Sequence, residues 1–139
     1  PDVKKAWAVV KESGCDNAKL ILDSWHWIRA NQSYDPSVLA DVPADKVVAV
    51  QINDVQAHPY AAPVLRDESM HDRMMPGTGH GDTAGFVKMI REKGIEPAVM
   101  GVEVISDEIL SAGVAEAAKA NFNATRAVLE QAWPEVVEQ

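Results

Sequence analysis

The sequence predicts an α/β fold built on parallel strands, and three observations predict it. Three apolar runs, Leu20 to Leu22, Val47 to Val50 and Ala98 to Val102, each close on polar side chains: Asp23, Gln51 to Asp54, and Glu103. Continuous rather than alternating apolar residues mark strands covered on both faces, as helices cover a parallel sheet. Segments with helical periodicity stand before, between and after these runs. In open sheets and barrels alike, the C-terminal strand ends are where ligands bind. Asp23, with His26 three residues on, Gln51 and Glu103 are therefore the candidate chemical groups.

Length and charge bound the rest. A chain of 139 residues with 47% hydrophobic content makes one domain. Its net charge of −8, with no dense Lys/Arg cluster, argues against nucleic acid or an anionic membrane as partner. The single Cys15 excludes an intrachain disulfide and fits a reducing compartment. No apolar run approaches the ~20 residues that span a bilayer, so a cytoplasmic location is expected. A start at Pro1, directly in helical pattern, suggests a piece of something longer or a processed chain.

Taken in order, Val3 to Ser13 carries Val3, Ala6, Trp7, Val9 and Val10 on an amphipathic helix that Gly14 stops. A short connection leads into the strand Leu20 to Asp23. Residues 28–42 are mixed, with breaks at Asn31 to Ser33 and Asp35-Pro36, a helix-like turn at Ser37 to Ala40, and an end at Pro43. The second strand, Val47 to Asp54, puts Val47, Ala49, Gln51 and Asn53 on one face. An amide at Gln51 in so apolar a run needs partners: a neighbouring backbone group, a metal or a substrate.

Val55 to Asp82 reads as one long irregular region, punctuated by His58-Pro59, Ala62-Pro63, Pro76-Gly77, Gly79 and Gly81. Its run Pro76 to Gly81 could cradle an anion with backbone N–H groups, although the Lys-Ser/Thr of a phosphate loop is missing. His58, His71 and His80 in this region are ambiguous between solvent and ligand. Asp82 or Thr83 caps a helix with Phe86, Val87, Met89 and Ile90 on its apolar face, closed by Gly94. The third strand, Ala98 to Ile105, holds Glu103 between two valines, where a carboxylate is costly unless paired or metal-bound. Ser106 opens a helical region, and Val114 to Trp133 is a long Ala-rich helix stopped by Pro134.

Two carboxylates and a neutral donor at one set of strand ends suit a hard or borderline divalent cation such as Mn²⁺, Mg²⁺ or Co²⁺. Such an ion polarises a carbonyl or hydroxyl of a bound sugar and stabilises an enediolate while a carboxylate moves the proton.

Four pieces of the sequence, Leu22-Asp-Ser-Trp-His26, Val50-Gln-Ile-Asn-Asp54, Arg73-Met-Met-Pro-Gly-Thr-Gly79 and Gly101-Val-Glu-Val104, occur in the order and spacing of a known family. Through them the chain resembles the xylose isomerase-like TIM barrels, the sugar phosphate isomerase/epimerase superfamily. The resemblance implies a (β/α)8 barrel of which residues 1–139 cover the C-terminal part, about the last three β/α units. It implies that Asp23 and Glu103 bind the metal, that Glu103 is also the base, and that His26 and Arg73 contact substrate hydroxyls. Gln51 stands where most epimerases carry a metal-binding His, and a fourth ligand, a Glu on the preceding strand, has no counterpart here. The implied activity is that of a sugar or polyol isomerase or epimerase. A dehydratase of the 3-dehydroshikimate or inosose kind uses the same ion and base, and some relatives with Gln at that position resemble the former. From another class, the chain reads as a non-catalytic fragment or subunit that needs other chain segments to complete the barrel. The partners implied are a sugar, polyol or related hydroxy-carbonyl substrate, together with a second copy or the remaining barrel segments.

Overall fold

The computed structural model describes residues 2–32, 34–57 and 65–137. Its centre is a parallel sheet of β1 (Leu20–Asp23), β2 (Val47–Ile52) and β3 (Val99–Val102), in that order. Register sets Asp23 beside Gln51 and Gln51 beside Gly101. The ladder runs one step past β3, where the Glu103 N–H donates to Ile52 O at 3.3 Å. Side chains alternate along strands, so Asp23, Gln51 and Glu103 share one face.

The helices are α1 (Val3–Glu12), α2 (Ser24–Asn31), α3 (Leu65–His71), α4 (Thr83–Glu92), α5 (Asp107–Ser111), α6 (Val114–Ala132) and α7 (Pro134–Val137). The core forms where the other sheet face, with Leu20, Leu22, Val50 and Ile52, meets Trp27 of α2, Phe86, Val87 and Ile90 of α4 and Val128 of α6. Phe86, Ile90, Val50 and Ile52 are fully buried, and each such side chain contributes about 1.5–3 kcal/mol through removal of apolar surface from water. No helix among the described residues is long and apolar enough to cross a membrane.

Most expected elements form near their expected bounds, including the caps at Asp82 and Ser106. Three expectations need correction. First, the strands are covered on one face only. The helices pack against the Leu22 and Val50 face, while Ile21 is 57% and Val99 60% exposed on the opposite one. Apolar continuity thus signals a second cover that the described residues do not supply. Second, the long region before Asp82 contains α3, whose run Leu65 to His71 lacks Gly and Pro; its Glu68, with no exposed surface, forms an ion pair with Arg29 of α2. His58 and the turn-like pairs at 58–59 and 62–63 lie outside the described residues. Third, His26 does not sit on the strand end: α2 begins at Ser24, which puts His26 in its first turn.

The Pro76 to Gly81 run does cradle an anion, and the anion belongs to the chain. Asp54 Oδ1 accepts the N–H groups of Val55 and Gly81, both at 2.8 Å, and Oδ2 those of Gly77 at 3.1 Å and Gly79 at 3.0 Å. The backbones of Asp54 and Met74 exchange two further bonds, at 2.9 and 3.1 Å. Gly79 is required by closeness: a Cβ there would lie 2.5 Å from Val55 O and 2.7 Å from the Asp54 carboxyl. Tyr34, packed on Phe86 with ring centroids 5.3 Å apart, has its hydroxyl pKa pushed up by burial and then by the Asp54 charge.

Asp54→Ala strips four N–H groups of their acceptor and should lower the unfolding free energy by about 3 kcal/mol or more in a denaturant titration. Gly79→Ala should cost about 2 kcal/mol by forcing the loop off the carboxylate. A loss below about 1 kcal/mol for Asp54→Ala would mean that solvent satisfies those groups instead.

Candidate active site

Asp23 closes β1 and caps α2 at once. Its backbone remains extended, at φ −119° and ψ 128°, and Oδ1 accepts the His26 N–H at 2.9 Å. Capping therefore uses one oxygen. The other, Oδ2, accepts from Asn53 Nδ2 and from Arg73 Nη1, each at 3.0 Å.

Arg73 is positioned by the segment between α3 and the Asp54–Met74 bridge. Its own N–H donates to Ile105 O at 3.1 Å. Nε donates to Ser69 O at 2.9 Å and Nη2 to Ser69 Oγ at 3.0 Å, and the guanidinium carbon stands 5.3 Å from the centroid of the Trp25 ring. Nη1 carries the important contacts. Besides Asp23 it donates to Glu103 Oε2 at 2.8 Å, so one nitrogen joins the carboxylates of two different strand ends. Arg73 and Asp23 side chains are 3% and 5% exposed, against 37% for Glu103. A buried carboxylate without a partner is costly, and here the arginine offsets that cost for Asp23 while also pairing the more exposed Glu103.

Asn53 ties the three strand ends to one another and has no exposed surface. Its Nδ2 donates to Asp23 Oδ2 and, at 3.2 Å, to Glu103 O; its Oδ1 accepts the Trp25 N–H at 2.7 Å. The Ser24 hydroxyl stands 2.7 Å from both Asn53 O and Oδ1 and accepts the Asn53 N–H at 2.9 Å. Thr83 at the start of α4 donates to Asn53 O at 3.1 Å. The sequence placed Asn53 only on the Gln51 face and gave it no role. Its signal was an amide two residues past Gln51 on a strand that ends in Asn-Asp.

The remaining expected residues divide. Gln51 is half-buried and lines a cavity of about 140 Å³ with Asp23 and His26; no hydrogen bond holds its amide among the described residues. The ring atom Nδ1 of His26 is buried without a partner. Burial lowers the His26 pKa, opposed by the charge of Asp23 and reinforced by that of Arg73, so the imidazole is neutral at pH 7. His71 lies on the surface beside Asp107, at 3.1 Å, and His80 is exposed. Neither joins the cluster. Arg73, expected at substrate hydroxyls, has Nε, Nη1 and Nη2 all donating to protein groups.

Among the described residues, no group of three or more His, Cys, Asp or Glu side chains gathers at metal-binding spacing. Asp23 and Glu103 nonetheless converge on one cation, and Gln51 stands at the matching register of the strand between them. Two carboxylates and an amide oxygen are donors that a hard divalent ion accepts.

Asn53→Asp would replace two donated hydrogen bonds with a third carboxylate against Asp23. It should destabilise the fold by about 3 kcal/mol or more at pH 7, and by less at acid pH, in chemical denaturation. A neutral effect at pH 7 would contradict the role given to Asn53.

Residues 1–131 match the profile of the family described as xylose isomerase-like TIM barrel. The chain is 34% identical over 104 residues to a 3-dehydroshikimate dehydratase of Pseudomonas aeruginosa, an alignment covering 75% of this chain and 16% of that protein. It is 28% identical over 127 residues to an inosose isomerase of Halalkalibacterium halodurans, covering 91% of this chain and 42% of the relative. Among solved structures it is similar to the IolI protein with a bound zinc atom, at TM-score 0.77, 23% identity, and coverage of 94% of this chain and 44% of that one. A xylose isomerase-like TIM barrel/4-hydroxyphenylpyruvate dioxygenase fusion protein gives TM-score 0.76 at 26% identity, covering 97% and 21%. The chain spans less than half the length of each of these proteins. With its parallel strands, helical cover and polar strand ends, the chain belongs to the xylose isomerase-like TIM barrel family.

Proposed function

We propose that the chain supplies the metal-binding and proton-transferring part of a barrel enzyme acting on a small polyhydroxylated carbonyl compound: a sugar, a polyol-derived ketone or a related hydroxy-carbonyl. The observation that carries this reading is the convergence of Asp23 and Glu103, from different strand ends, on one cationic point. Asp23, Gln51 and Glu103 would hold a divalent cation such as Mn²⁺, Mg²⁺ or Co²⁺, whose chemistry is to polarise the substrate carbonyl. The bound zinc in the IolI neighbour supports a metal of that charge.

Glu103 moves the proton. It is the more exposed of the two carboxylates, and it stands at the strand end where a substrate carbon next to a carbonyl would meet it. Return of that proton to the neighbouring carbon gives an isomer, and protonation of the original carbon on its other face, by a second acid outside residues 1–139, gives an epimer. His26, neutral at pH 7, orients a hydroxyl. A second reading follows from the relatives. Departure of hydroxide from the next carbon after the same proton removal would make the enzyme a dehydratase, and the dehydratases of Pseudomonas aeruginosa and Pseudomonas putida are 34% and 32% identical to the chain.

Residues 1–139 correspond, in this reading, to the last three β/α units of the barrel. The open sheet face with Ile21 and Val99 is then the lining that the remaining strands, or a second copy, complete.

The protein carrying this chain, supplied with Mn²⁺, should exchange the α-proton of a cyclic polyhydroxy ketone for deuterium in D₂O. Recovery of an isomeric ketone supports the isomerase reading, and a conjugated product absorbing in the ultraviolet supports the dehydratase reading. Glu103→Gln should slow exchange by about 10²-fold or more, the usual scale for losing a general base. Undiminished exchange in that variant would remove Glu103 as the base.

A further inference from the structure

We infer that Arg73 is the resident cation of the Asp23–Glu103 pair and competes with a divalent metal ion for it, an inference that rests on the metal reading above. Nη1 stands 3.0 Å from Asp23 Oδ2 and 2.8 Å from Glu103 Oε2. A metal ion shared by these carboxylates needs both within about 2.0–2.6 Å, so it requires much the same place between them. The guanidinium and the ion also repel at this separation, in a setting where charges are poorly screened.

The rest of the geometry makes this an exchange rather than simple addition. Ser69 holds Nε and Nη2, and Trp25 covers the guanidinium face, so Arg73 is a built part of the site with 3% exposure. Asp23 is fixed independently, through the His26 N–H on Oδ1 and Asn53 on Oδ2. Glu103 is the member free to change partner. Its side chain is 37% exposed, and Nη1 is the one hydrogen-bond partner of its carboxylate among the described residues. A bound ion would draw the Glu103 carboxylate away from Nη1, so that Glu103 would exchange a single positive charge for a double one and Nη1 would lose one of its two carboxylate partners. That release also accounts for how a residue so committed to protein groups could meet a substrate hydroxyl.

The test is Mn²⁺ titration, followed by electron paramagnetic resonance at fixed ionic strength, on the full chain and two variants. Arg73→Met keeps an apolar stem under Trp25 and removes the charge, whereas Arg73→Lys keeps the charge. Arg73→Met should bind Mn²⁺ at least about tenfold tighter, with a lower melting temperature without metal and a larger rise on saturation. Arg73→Lys should stay close to the unsubstituted chain. Should Arg73→Met not fold, Mg²⁺ titration of the unsubstituted chain, watched at the Arg73 Nε resonance, decides the matter: a saturating shift is expected. The inference is overturned if the unsubstituted chain binds Mn²⁺ and Arg73→Met binds it equally or more weakly. A gain in Arg73→Lys equal to that in Arg73→Met, or an Nε resonance unmoved at saturating Mg²⁺, overturns it as well. Binding by none of the three chains removes the metal reading itself, and the competition with it.

Discussion

Two carboxylates that converge from the ends of the two outer strands repel, and desolvation makes the repulsion worse, unless a cation stands between them. Arg73 meets that constraint here, with one nitrogen on Asp23 and on Glu103. The arrangement joins residue 23 to residue 103 through residue 73, three points that are far apart in sequence and that only the completed sheet brings together. Removing the arginine would leave both charges uncompensated, one of them almost wholly buried. The site is for that reason also a keystone of the fold at this end of the sheet.

Two other polar devices hold that keystone in place. Asn53 reaches from the end of β2 to the Asp23 side chain and the Glu103 backbone, fixing the spacing of the strand ends by hydrogen bonds rather than by charge. Asp54, the next residue, gathers the N–H groups of the 76–81 loop and so fixes the turn that follows Arg73. Successive residues of one strand end thus serve opposite faces, as the period of two requires. One organises the carboxylate pair, and the other the loop that presents its cation.

The sheet, the helical cover and the chemical groups were legible because each rests on local pattern. Apolar runs ended in Asp, Gln and Glu, and Phe86, Val87 and Ile90 fall on one helical stripe. The partners of those groups were less legible. Arg73 as the mate of both carboxylates depends on a contact across 50 residues on one side and 30 on the other, which no spacing rule announces. Asn53 was hidden for the same reason, since its five partners, Asp23, Ser24, Trp25, Thr83 and Glu103, all lie far from it in sequence. The glycine-rich run was read correctly as an anion cradle, but its occupant, Asp54, lay 23 to 27 residues upstream. Two-sided burial of the strands was expected from continuous apolar sequence, and the exposed Ile21 and Val99 show that this signal describes the cover a strand is suited to, whether or not the described residues provide it.

Membership of the family sets the fold and directs attention to the C-terminal strand ends, but the chemistry must come from the residues there. Asp23, Gln51 and Glu103 offer two carboxylates and an amide on one sheet face, and the Arg73 guanidinium stands between the two carboxylates. The most direct measurement is a crystal structure of the chain grown with Mn²⁺, with the ion located by its anomalous scattering. The account predicts one strong peak within about 2.5 Å of carboxylate oxygens of both Asp23 and Glu103. A peak elsewhere, or none with the Arg73 contacts unchanged, would contradict it.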